Sequence, residues 1–75
     1  MNKQQQEALD EVQAYTMYQL HAQTAMKWAY RAWAANFLSL NLQALEYEHE
    51  AVEHAALSGN DHMLVVVRRV IATGE

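Results

Sequence analysis

The sequence predicts an all-α protein, a helical hairpin followed by a short third helix, assembling into an oligomeric helical bundle. Three observations predict it. No glycine or proline occurs from Met1 to Ser58, and Ala, Gln, Leu, Met and Glu dominate that stretch, so local propensity favours helix almost throughout. Within it only Asn36-Phe37-Leu38-Ser39-Leu40-Asn41 is weak, because its Asn and Ser side chains compete for backbone hydrogen bonds. The clearest punctuation is Ser58-Gly59-Asn60-Asp61, where Gly59 suits a C-terminal cap and Asn60 or Asp61 the next N-cap.

Taken in order, the first helix is long and ends at a turn near residues 36–41, where Ser39 or Asn41 is expected to cap the second helix. Without that turn the chain would form one helix of about 50 residues and about 75 Å, which is unusual outside a coiled coil. The third helix is expected from about His62 to Thr73. Met63, Val66, Val67, Val70 and Ile71 share one of its faces, with Arg68 and Arg69 toward the other. Val65-Val66-Val67 also fits a strand, but a lone strand would have no partner here.

The 75 residues form one helical domain, 1–75, with five Lys+Arg against nine Asp+Glu, a formal charge of −4 and no cysteine. Disulfides, thiolate zinc sites and thiol nucleophiles are therefore excluded. The acidic balance argues against a nucleic-acid surface, which needs a basic stripe to displace counterions. Met1 to Glu11 combines Lys3 with Glu7, Asp10 and Glu11, unlike a signal or transit peptide. The acid-free stretch from Val12 to Leu45 is broken by Lys27, Arg31 and many polar residues, so it lacks the roughly 20 apolar residues of a membrane span. The expectation is a soluble, cytoplasmic protein that contacts neither nucleic acid nor membrane.

On the first helix, Tyr15, Tyr18, Ala22, Ala25, Ala29, Ala32, Asn36 and Ser39 follow one another in steps of three and four, a heptad seam of mostly small residues. His21 and Trp28 flank one side, Met26 and Trp33 the other. Gln13, Thr16, Gln23, Thr24, Lys27 and Arg31 occupy the opposite face. The seam has two readings of equal weight: it packs on the chain's own later helices, or it meets the same helix of a second chain. A chain this short buries only about 60% of its unfolded surface, which favours an oligomer under either reading. The expected form is a homodimer in which two hairpins make a four-helix bundle. Its interface is then Tyr15, Tyr18, Ala22, Ala25, Ala29 and Ala32 with Trp28 and Trp33.

Glu46-x-x-His49, within the segment Leu45 to His54, has the i, i+3 spacing that lets a carboxylate and an imidazole reach one metal from a single helix. These ten residues resemble a fragment of the ferritin-like di-iron family. The resemblance implies an inward carboxylate from a neighbouring helix and an alternative metal set of Glu46, His49, Glu50 and Glu53. The stretch opposite, Met26 to Trp33, holds no acid but does hold Lys27 and Arg31, so interhelical ion pairs to Glu46 and Glu50 are expected in place of a metal. Glu50 and His54 are also spaced to interact at i, i+4. His49 falls on the apolar stripe Leu42, Leu45, His49, Val52 and Ala56, and reads as a hydrogen-bonded core histidine. His21, His54 and His62 lack spacing partners on their own helices and read as surface or boundary residues.

No nucleophile elbow or phosphate loop is present, so catalytic residues and cofactors are not expected. Trp28, Arg31 and Trp33, with Tyr30 and Lys27 nearby, offer an alternative: a small-ligand or nucleotide site at a subunit boundary, stacking a base and meeting its phosphates. The leading expectation is a small acidic interaction module that binds itself and another protein, as a regulator, adaptor or inhibitor of the kind phages and other mobile elements carry.

Overall fold

The computed structural model describes residues 2–75, in which three helices follow one another: α1 (Lys3–Phe37), α2 (Asn41–Leu57) and α3 (Asp61–Thr73). All-α architecture, the turn within 36–41 and the third helix therefore stand as read from the sequence. No helix is long and apolar enough to cross a membrane, among the described residues.

α1 begins in a capping box. The Asn2 side chain accepts from the Gln5 backbone N–H at 2.8 Å, and the Gln5 side chain accepts from the Asn2 N–H at 3.1 Å. At its other end Leu40 N–H donates to the Ala35 carbonyl at 2.8 Å and Ser39 N–H to that of Asn36 at 3.0 Å. Ser39 closes this turn with φ 60. Here the structure corrects the expected cap: Ser39 adopts the left-handed conformation, Asn41 is already the first helical residue, and Leu40 precedes α2 with no side-chain cap.

The second turn follows the expectation. Gly59 takes φ 70, and the Asn60 side chain caps α3 by accepting from His62 N–H at 2.9 Å. Ser58, buried, links the two helices: its hydroxyl donates to the Ala55 carbonyl at 2.6 Å and accepts from Asn60 N–H at 3.3 Å. α3 ends at Gly74, φ 79, whose N–H returns to the Val70 carbonyl at 2.7 Å.

Helices α2 and α3 lie only along the C-terminal half of α1. Gly59, at the far end of α2, sits beside the Tyr18 ring, and Gly74, at the end of α3, lies against the Trp33 indole. Every residue of α1 from Lys3 to Leu20 is exposed. The molecule is thus a head of three helices on a single-helix stem, 55 Å long and 19 × 13 Å in section.

The core of the head is made of small residues. Its buried apolar side chains are seven alanines, Ala25, Ala29, Ala32, Ala35, Ala44, Ala51 and Ala55, with Val67 and Val70. Alanines on facing turns let α1 and α2 approach closely, and α3 closes over them with its amphipathic face. Met63, Val66 and Ile71 pack beside Val67 and Val70 while Arg68 and Arg69 stay exposed, as the sequence predicts. The apolar stripe expected on α2 is overturned. Ala44, Ala51, Ala55 and Ser58 face inward, so Leu42, Leu45, His49 and Ala56 lie more than a third of a turn away and are exposed, with Val52 at the margin.

Candidate functional site

The alanine seam divides along its length. Ala25, Ala29 and Ala32 are fully buried against the chain's own helices, so these three pack within the chain and not on a second copy. Ala22 is half-buried, Tyr15 and Tyr18 are exposed on the stem side, Asn36 is exposed, and Ser39 lies in the turn beyond the helix. Trp28 is half-buried, and Trp33 stays more than a third exposed.

The aromatic and basic residues of α1 do not converge on one ligand site. Trp28 meets Tyr47 of α2 with ring centroids 5.4 Å apart, and Arg31 lies over the same indole at 4.8 Å. That indole borders a cleft of about 670 Å³ shared with Leu45, Glu46, Tyr47, His49 and Glu50. Trp33 belongs elsewhere. It packs tilted against Phe37, ring centroids 5.9 Å apart, and borders a second cleft, about 730 Å³, with Glu48, Arg68 and Ile71. Both clefts are open to solvent.

Nor do the acidic and imidazole groups of α2 converge on a metal. His49 points outward, 78% exposed, and reaches Glu53 at 3.8 Å, so it is not a core histidine. Glu50 instead approaches His54 at 3.8 Å, the i, i+4 contact expected from spacing. No ion pair joins Lys27 or Arg31 to Glu46 or Glu50 among the described residues: Arg31 turns onto Trp28, and Lys27 stays exposed. No group of three or more His, Asp or Glu side chains is gathered closely enough to hold a metal ion among those residues.

One pairing escaped the sequence. His21 of α1 and His54 of α2 stack with centroids 5.3 Å apart, and their Nδ1 atoms lie 3.0 Å from each other. Such a bond requires one ring to donate and the other to accept. Glu50 stands on the far side of His54, so carboxylate and two imidazoles form a line across the α1–α2 seam. Spacing along one helix holds no signal for a contact between residues 33 positions apart.

The largest chemical feature is therefore the apolar exterior. On the stem, Leu9, Val12 and Leu20 share a stripe with Thr16; around the turn, Phe37, Leu38, Leu42 and Leu45 form a cap, Phe37 at 74% and Leu42 at 79% exposure. Comparison with protein-family models, with curated proteins and with solved structures found no match.

Proposed function

We propose that the protein is a small acidic homo-oligomeric interaction module of the cytoplasm, acting on another protein as a regulator, adaptor or inhibitor, in the manner of the small proteins carried by phages and mobile elements. One observation supports it above the others: the chain fills its core with seven alanines and exposes seven of its eight leucines, three of its four tyrosines and Phe37. A buried methyl contributes about 0.8 kcal/mol and a buried leucine or phenylalanine about 1.5–3 kcal/mol, so most of the apolar stabilisation this sequence can supply is unrealised in one chain. Large exposed apolar patches mark surfaces that meet other macromolecules.

Native mass spectrometry of the untagged protein tests this reading. The expected spectrum shows a multiple of the 8.6 kDa chain with no added mass. A lone 8.6 kDa species across micromolar concentrations overturns it. A second reading, binding of a small aromatic ligand, draws on the cleft where Trp33 and Phe37 meet Arg68 and Glu48. Added mass of a metabolite in the same spectrum would favour it.

A further inference from the structure

We infer that His21 and His54 form a binding site for a divalent transition-metal ion that prefers imidazole, Cu²⁺ above all, joining α1 to α2 where the stem meets the head. Both donors come from one chain, so the site stands independently of the oligomeric reading above. It is also separate from the outward-facing His49 and Glu53 of α2.

The convergence of the two nitrogens carries it. The near-parallel rings, 27° apart in plane, meet at their Nδ1 edges. Their centroid separation of 5.3 Å exceeds the 3.0 Å between the nitrogens by about two ring radii, so the nitrogens face one another nearly head-on. With metal–nitrogen bonds of about 2.0–2.1 Å, two donors at that spacing subtend about 90–100° at an ion. That is the angle between neighbouring ligands of a tetragonal ion, the geometry of Cu²⁺ or Ni²⁺, and Cu²⁺ heads the affinity order. Tetrahedral zinc asks for a spacing of about 3.3–3.4 Å. The ion sits beside the line joining the nitrogens, and turns about χ2, a broad torsion in histidine, bring both lone pairs onto it.

The proton balance permits it. A neutral imidazole carries one proton, and a metal takes the nitrogen that lacks it. Glu50 Oε2 lies 3.8 Å from His54 Nε2. Its charge favours the proton at that nitrogen and leaves the His54 Nδ1 lone pair free to bind. A carboxylate behind a ligating imidazole is the common support of such a ligand. In the metal-free pair His21 then donates from Nδ1. On binding, that proton passes through solvent to His21 Nε2, so both rings stay neutral and no proton is released.

Both rings are half-buried, with the His54 side chain 25% exposed, so the remaining positions of the ion open to water. Two protein donors hold an ion reversibly. Protein isolated without added metal is then metal-free, in keeping with a spectrum of bare chain mass.

Cu²⁺ added to the untagged protein tests the site. The two donors lie 33 positions apart and meet only in the folded chain, so binding stabilises the fold. At a few multiples of its Kd, the ion is expected to raise the thermal midpoint by about 4–8 °C. His21→Ala and His54→Ala should each remove that rise, and His49→Ala should retain it. The chain has four histidines, so a His49→Ala, His62→Ala variant keeps only the proposed pair. Pulsed EPR of its copper complex is expected to count two coordinated imidazoles, which decides the matter even where His21→Ala or His54→Ala fails to fold. No rise in the parent, a rise that persists in folded His21→Ala, or fewer than two coordinated imidazoles in the double variant would each overturn the inference.

Discussion

Ser39 holds a backbone conformation that side chains resist, φ 60, so that Leu40 N–H can reach Ala35 and end α1. A left-handed residue with a Cβ costs about 1–2 kcal/mol. Ser39→Gly is expected to stabilise the chain, by about 0.5–1 kcal/mol once the extra freedom of glycine in the unfolded state is offset. Urea unfolding checks this, and a loss of stability would mean that the Ser39 side chain has a role absent from the structure. The two turns show what was legible at this scale. Gly59 and Asn60 could be assigned in advance because glycine marks the left-handed position and Asn the cap. Ser39 could not, because serine advertises a cap and here does the work of glycine.

At the His21–His54 pair the chemistry of the donors decides. One Nδ1 must carry its proton and the other must not, across 3.0 Å. Replacing His54 by Ala orphans the partner and is expected to cost about 1 kcal/mol. Urea unfolding of parent and variant measures that cost. Equal stabilities would show that the contact contributes nothing through that hydrogen bond.

Between α1 and α2 the deciding property is size. Ala25, Ala29, Ala51 and Ala55 are at most 1% exposed, so a larger side chain has nowhere to go. Ala29→Leu is expected to destabilise by about 1–3 kcal/mol through overpacking, while Leu42→Ala should stay within about 0.5 kcal/mol in the single chain, where that leucine touches little. Thermal unfolding of the two variants compares them, and equal effects would contradict the observed orientation of α2. The expected stripe of Leu42, Leu45, His49, Val52 and Ala56 fails for the same reason. α2 has an apolar stripe of large residues and another of small ones about a third of a turn away, and close helix approach selects the small one. Periodicity locates both stripes but does not rank them. For α3, with one apolar face only, the same reasoning succeeds. Lys27 and Arg31 were expected to meet Glu46 and Glu50, yet Arg31 settles on Trp28, a stacking alternative that spacing does not express.

For the whole molecule the balance is between a thin core and a long exposed arm. What could not be read was where along α1 the hairpin ends, because the seam runs on through Tyr18 and Tyr15 past the last turn of α2 without any break in spacing. A chain that completes its apolar packing only in company must gain stability with concentration. The direct measurement is the thermal midpoint over a hundredfold range of protein concentration, for the parent and for a Leu9→Glu, Val12→Glu variant. The stem account predicts a midpoint that rises with concentration in the parent and stays flat in the variant. A flat midpoint in the parent would contradict it, for the single chain would then be complete by itself.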